Sequence, residues 1–123
     1  MKTILGLDLG YSCGWALRAP DGAWRSGTWD LTASGKEPGQ RLAALGYELL
    51  TCDSKNPPDL IAFEHVRHPS SGILAAHAWG ALWGVVMEFC WRSSVPYLGL
   101  SPAEVAVKTL APSAVPRVAV VVA

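Results

Sequence analysis

Two acidic residues stand out because each accompanies a short apolar run. Asp8 lies in the sequence Ile-Leu-Gly-Leu-Asp-Leu-Gly that begins at Ile4, and Glu64 ends the run that begins at Leu60. A carboxylate in apolar surroundings must bind a cation, accept hydrogen bonds or take up a proton, because an unpaired buried charge is costly. Two carboxylates at strand ends suit a hard divalent cation with oxygen ligands. The alternative for Asp8 alone is a strand-end residue that caps a turn.

Histidine and cysteine offer a second kind of metal chemistry. His65 and His68 follow Glu64, but zinc would need a wider set of His and Cys ligands, so we interpret both as polar loop residues. The three cysteines are an odd number without metal-ligand spacing or a secretory segment upstream, which indicates a reducing, cytoplasmic environment. They are Cys13, Cys52 and Cys90.

The composition is that of one globular domain. Of 123 residues, 50% are hydrophobic and 16% charged, with six tryptophans, so a substantial apolar interior is expected. The formal net charge is zero. Because nucleic-acid binders usually carry a basic excess, this balance argues modestly against DNA binding unless the cations are clustered.

The elements around Asp8 have the pattern of an antiparallel meander. After the first strand, residues 13–18 and 23–30 flank Ala-Pro-Asp-Gly, which has the residues of a hairpin turn. A polar loop is predicted over residues 32–39, and a short amphipathic helix over 40–50, with Leu42, Leu45 and Leu49 on one face. This helix leads to the Glu64 strand, so the sequence predicts an α/β domain.

The segment from Ile73 to Cys90 is the most apolar of the chain. About 18 apolar residues is the lower limit for a membrane span. However, His77 lies near its middle and Glu88 near its end, and a further strand is predicted over residues 95–100. We therefore predict a helix of the domain and no membrane association.

Small residues recur along this helix at every fourth position. Ala76, Gly80 and Gly84 form a row that allows another element to approach closely. The six tryptophans exceed what one small core needs, which favours a protein partner. Packing on the domain's own sheet is the alternative, and both arrangements can hold together.

Four stretches together resemble a known family. They are Ile-Leu-Gly-Leu-Asp-Leu-Gly, Gly14-Trp15-Ala16, Phe63-Glu64-His65, and Leu100-Ser101-Pro102-Ala103-Glu104-Val105. They resemble RuvC, the Holliday-junction resolvases of the ribonuclease H-like superfamily, and phage-type members most closely. The resemblance implies a ribonuclease H-like domain over residues 1–110, with an antiparallel three-strand meander, parallel strands and flanking helices in one mixed-sheet α/β fold.

The resemblance also implies a function. These resolvases are metal-dependent, structure-selective DNA endonucleases that cut four-way junctions. By resemblance, Asp8 is the ligand shared by two cations and Glu64 supports one of them, with Mg2+ as the expected metal and Mn2+ as a substitute. The family further implies a homodimer through the helix from Ile73 to Trp91.

Predicted DNA contacts lie in the loop after Glu64. Arg67, His68, Ser70 and Ser71 suit phosphate contacts, and Arg67 falls near the place where the family inserts a residue at the junction. The alternative is a polar strand-to-helix connection with Ser71 near the helix cap.

A second predicted DNA contact lies on a later helix. Ser101, Pro102 and Glu104 have the pattern of a capped helix start. Lys108 lies on that helix and resembles the family's lysine, while a solvated surface lysine is the alternative.

The C-terminal part departs from the family. Resolvases of this type carry further carboxylates on a final helix, but no acid follows Glu104, and the tail of residues 111–123 contains only Ala, Pro, Ser, Val and Arg. We therefore expect a C-terminally truncated fold, an atypical tail that is frame-shifted or disordered, and no activity from this chain alone. Two rival functions are a catalytically dead module that binds branched DNA or protein, and a fragment of an actin-like kinase or ATPase, because Asp8-Leu9-Gly10 resembles its phosphate-binding turn.

Overall fold

A computed structural model describes residues 2–52, 57–65 and 72–101. These residues form five strands, two α-helices and one 3-10 helix. The strands are β1 (Ile4–Asp8), β2 (Ser12–Arg18), β3 (Trp24–Asp30), β4 (Leu60–Glu64) and β5 (Tyr97–Leu100). The α-helices are α1 (Pro38–Thr51) and α2 (Ile73–Ser93), and the 3-10 helix spans Leu31–Ser34.

The strands form one mixed sheet in the order β3-β2-β1-β4-β5. β1, β2 and β3 pair antiparallel, as the hairpin chemistry predicts, whereas β4 pairs parallel with both β1 and β5. α2 connects the parallel strands β4 and β5, as a crossover between parallel strands requires. The predicted α/β class, one mixed sheet with an antiparallel three-strand meander, parallel strands and flanking helices, is confirmed.

The largest cluster of buried side chains lies on the side of the sheet that faces the helices. Leu5 and Leu7 of β1 and Ile61 and Phe63 of β4 are buried there, with at most 1% of each exposed. Side chains from both helices complete the same cluster, namely Leu45, Leu49, Leu82, Val86 and Phe89. Because alternate residues of a strand point to opposite faces, the positions between these core residues face away from the helices. Asp8 and Glu64 directly follow Leu7 and Phe63, so they point to that same side.

Two helix boundaries differ from the predictions. α1 begins at Pro38 rather than at residue 40, because Glu37 and Gln40 form a reciprocal capping box and Pro38 occupies the first turn. Part of the predicted polar loop is a 3-10 helix, which Asp30 caps by accepting a hydrogen bond of 3.0 Å from the Thr32 N–H. Both signals are local, and both were present in the sequence.

The end of α2 also differs. The helix continues to Ser93, and Ser94 adopts the left-handed conformation with φ 56° that ends many helices. The Val95 N–H then donates to the Cys90 carbonyl at 2.9 Å, so the last strand begins at Tyr97 rather than at Val95.

By length and composition alone, α2 is a helix that could cross a membrane, with a mean hydropathy of 1.4. Core helices pass the same test, and Leu82, Val86, Phe89 and Cys90 of α2 are buried. The opposite side carries Ile73 and Trp91, which are 74% and 85% exposed. α2 therefore has one face in the core and an outer face that exposes large apolar side chains beside the polar His77 and Glu88.

Candidate metal and DNA site

The sheet register brings Asp8 and Glu64 to adjacent positions. Leu7 of β1 is opposite Phe63 of β4 in a parallel pair, and the next residue of each strand is an acid. Facing residues of parallel strands point to the same side of the sheet, and neighbouring strands lie about 4.8 Å apart. Two carboxylates at this spacing can bind one cation between them. Metal binding by Asp8 and Glu64 stays a prediction, but the geometry that it requires is present.

Asp8 is accessible to solvent at the end of its strand, but the protein covers part of the space around its carboxyl group. Burial raises the pKa of the Asp8 carboxyl above its usual range. Beneath it, Cys13 is fully buried, and burial, with a smaller contribution from the Asp8 charge, raises the pKa of this thiol to about 12. Cys13 is therefore an uncharged thiol at neutral pH and leaves the carboxylate without a positive partner on that side.

The described residues supply only part of a metal site. Among residues 2–52, 57–65 and 72–101, no group of three or more His, Cys, Asp or Glu side chains could hold a metal ion. The oxygen chemistry of Asp8 and Glu64 fits Mg2+ or Mn2+, which keep several water ligands and need few from the protein. Two protein ligands alone predict weak binding.

His65 packs among aromatic rings rather than lying in a polar loop. Its ring centroid is 4.9 Å from that of Trp83 and 5.3 Å from that of Trp79, in edge-on contacts. The backbone N–H of His65 donates to the Leu100 carbonyl at 2.6 Å. The Phe63 ring, two residues earlier on the same strand, also contacts the rings of Trp79 and Trp83. This packing anchors the end of β4 and therefore the backbone that carries Glu64.

The predicted DNA-contacting residues lie outside the described part of the chain. This holds for Arg67, His68, Ser70, Ser71 and Lys108, and also for the tail after residue 110. Ser101 is described, but the remainder of the predicted capped helix is not. DNA contacts by these residues stay predictions.

One feature beside the candidate site was not predicted. A cavity of about 460 Å3 lies between the turn that follows β1, starting at Leu9 directly after Asp8, and the first half of α2. Tyr11 and Trp79 are among its lining residues. The only sequence signal was an aromatic residue three positions after a candidate ligand, and nothing in the sequence pairs it with a particular residue of α2.

The raised pKa of Asp8 leads to a stability prediction. Because the folded protein holds this proton more tightly than the unfolded chain, ionised Asp8 destabilises the fold, and this cost develops as pH rises through the carboxyl titration range. We expect Asp8→Asn to raise the melting temperature at pH 7 in a chelating buffer, and the gain to shrink as the pH falls to about 4. Thermal unfolding, monitored by circular dichroism at each pH, measures the gain at pH 7 and its decrease at lower pH.

Asp30 is a matched control of opposite sign. A hydrogen bond from the Thr32 hydroxyl, followed by one from the Thr32 N–H, lowers the pKa of the Asp30 carboxyl. Its stabilising contribution is present at neutral pH and is lost as pH falls through its folded pKa. Asp30→Asn should therefore lower the melting temperature at pH 7. A decrease for Asp8→Asn at pH 7 would contradict the assignment of a desolvated carboxylate.

Solved structures with this fold were found by structural comparison. RuvC of T. thermophilus in complex with a Holliday junction substrate superimposes with a TM-score of 0.75 at 15% sequence identity, covering 98% of this chain and 92% of that chain. Another Thermus thermophilus RuvC structure gives a TM-score of 0.68 at 14% identity, with 97% and 92% covered. The yeast mitochondrial Holliday junction resolvase gives 0.58 at 18% identity, and the match covers 85% of this chain and 52% of the yeast chain.

Sequence comparison gives no such match. No protein-family model matches the chain, and no curated protein sequence is significantly similar to it. At identities below 20%, the structural matches establish the fold alone. The strand order and the structural superposition support the same fold as the four stretches of sequence that resemble this family. The chain has the fold of the RuvC-type Holliday junction resolvases.

Proposed function

We propose that this chain is the junction-binding domain of a metal-dependent, structure-selective DNA endonuclease that acts on four-way junctions. The observation that carries the proposal is the facing pair of Asp8 and Glu64 at the ends of two parallel strands. This pair lies in a fold that is shared with a RuvC solved in complex with a Holliday junction substrate.

The proposed chemistry is phosphodiester hydrolysis. A bound pair of Mg2+ ions would activate the attacking water and stabilise the leaving oxygen. In this chain, Asp8 would bind between the two positions and Glu64 would support one of them. The raised pKa of Asp8 favours cation binding once the carboxyl is ionised, because a cation replaces the hydration that the site withholds.

A second candidate function is junction binding without cleavage. It is favoured by the absence of a group of three potential metal ligands among the described residues and by the absence of any acid after Glu104 in the sequence. The structural matches favour either resolvase-type function over the actin-like ATPase alternative.

Binding of branched DNA tests what the two candidates share. In Ca2+, which supports binding without promoting hydrolysis, we expect the chain to shift a labelled four-way junction at lower concentration than a linear duplex with the same arm sequences. Asp8→Asn should bind the junction almost as well, because it removes no cation that contacts phosphate. Equal affinity for junction and duplex, measured at the same salt concentration, would refute structure-selective binding.

A further inference from the structure

The cavity beside the turn that follows Asp8 has the size and the lining of a binding site for a ring-shaped group. Its volume of about 460 Å3 lies within the range of small-molecule pockets. The turn after β1 forms one wall with Leu9, Gly10 and Tyr11, and α2 forms the other with Leu74, Ala75, Ala78, Trp79 and Leu82.

Both aromatic residues of the cavity are held in place. The Arg41 guanidinium lies 4.6 Å from the centre of the Tyr11 ring, and the Tyr11 carbonyl accepts a hydrogen bond of 2.8 Å from the Leu31 N–H. Trp79 lies in the cluster with Phe63, His65 and Trp83, with ring centroids 5.3 to 6.5 Å away. Rigid aromatic surfaces of this kind bind flat rings at a low entropic cost.

Small residues keep the cavity open. Ala75 and Ala78 are the small residues that α2 contributes to its lining, and among the described residues a Cβ at Gly10 would meet the Ser12 carbonyl oxygen alone, at 3.6 Å. Leu74 at the mouth is 85% exposed. The described part of the chain therefore leaves an apolar, aromatic recess unfilled at one residue's distance from a candidate metal ligand.

We propose that this cavity takes one unstacked nucleobase of the DNA strand whose phosphate lies at Asp8 and Glu64. The proposal rests on the proposed function. A strand that crosses the carboxyl edge of the sheet passes from the side of Asp8 to the side of α2, and the base attached to the bound phosphate is the nearest flat apolar group. At a junction crossover, bases are less firmly stacked, so extrusion of one is less costly than in a duplex. Stacking on aromatic side chains accepts any of the four bases, and polar groups at the rim of the cavity can add a preference for particular bases.

A crosslinking experiment tests this directly. A four-way junction carrying 5-iododeoxyuridine at single positions around the crossover is bound in Ca2+, irradiated, and digested for mass spectrometry. We expect crosslinks to Tyr11 or Trp79 from one or two adjacent positions. Ala78→Leu, which fills the cavity, should abolish them and weaken junction binding about tenfold. Ala81→Leu makes the same change at an exposed position of α2 that does not line the cavity. This variant should retain both the crosslinks and the affinity for the junction.

The outcomes separate the cavity from the proposed function. Junction binding without crosslinks to either ring, or crosslinks that survive Ala78→Leu, would overturn the base site and leave the junction function standing. Failure of the unaltered chain to bind any junction would overturn both. If Ala78→Leu fails to fold by circular dichroism, Tyr11→Leu decides instead: it removes one wall without adding volume, and the proposal requires a loss of affinity of similar size.

Discussion

A four-way junction incubated with this 123-residue chain and Mg2+ should remain uncut. The described residues supply a facing pair of carboxylates, and no acid follows Glu104 in the sequence. Hydrolysis through two cations requires ligands on the outer side of each ion as well as one between them. With two protein ligands, metal occupancy is expected to be too weak to organise that geometry.

The same reasoning predicts how activity could be restored. A version in which a helix bearing two acids, encoded in a corrected reading frame, replaces the residues after 110 should cut the junction. In that version, Asp8→Asn should lower the cleavage rate about a thousandfold, since a shared metal ligand supports several kcal/mol of transition-state stabilisation. Junction binding should be nearly unchanged. Gel assays of cleavage and binding on one junction measure both effects.

One result would contradict this account. Strong Mg2+-dependent cleavage by the unaltered chain, abolished by Asp8→Asn, would show that the remaining ligands are already present. The matched control is Asp21→Asn, which changes an exposed acid in the turn between β2 and β3. Its carboxylate accepts a hydrogen bond from the Ala23 N–H. That variant should not alter cleavage in either version.

The sheet could be predicted from sequence because its signals are local and strong. An apolar run identifies β1, and Pro20, Asp21 and Gly22 identify the turn of the hairpin that follows. The pairing of β1 with β4 followed from the resemblance, and the observed register places the acids that end these two strands side by side. The boundaries are predicted less accurately: the predicted loop over residues 32–39 contains most of the 3-10 helix that Asp30 caps, and the first turn of α1 at Pro38.

The aromatic cluster could not be predicted in the same way. Trp79 and Trp83 were counted with the tryptophans that favour a partner, but both pack on Phe63 and His65 within the chain. Helical periodicity gives the direction of a side chain around its own axis, but not the strand residue that it meets. The cavity depends on the same tertiary information, since its walls are about 65 residues apart in sequence.

The outer face of α2 favours association of two copies of the chain. Among the described residues, a Cβ added at Gly80 or Gly84 would meet no atom within 4 Å, so packing against them requires neither glycine. Each glycine in a helix interior costs about 1 kcal/mol relative to alanine. Ile73 and Trp91, both strongly exposed, lie on the same side of the helix as these glycines. A close, apolar helix-to-helix contact would use all four residues.

We therefore expect the chain to be a two-fold dimer through α2, and the double variant Gly80→Leu, Gly84→Leu to be monomeric. A dimer places one site on each of two symmetric strands of a junction. Leucines at the point of closest approach should raise the dissociation constant about a hundredfold or more, because each forces overpacking in both copies. Sedimentation equilibrium over a range of concentrations measures the change.

Gly46→Leu is the matched control, because Gly46 lies inside α1 and a Cβ there also meets nothing within 4 Å. It gains the same helix propensity but should leave the dimer intact.

Thermal unfolding distinguishes a chain whose α2 has no partner from a chain that dimerises through α2. If α2 has no partner, leucine at Gly80 and Gly84 should simply stabilise the chain, as at Gly46, and the sedimenting species should be a monomer before and after the change. If two copies pack there, the same leucines should lower the melting temperature at concentrations where the unaltered chain is dimeric, because loss of the partner outweighs the gain in helix propensity.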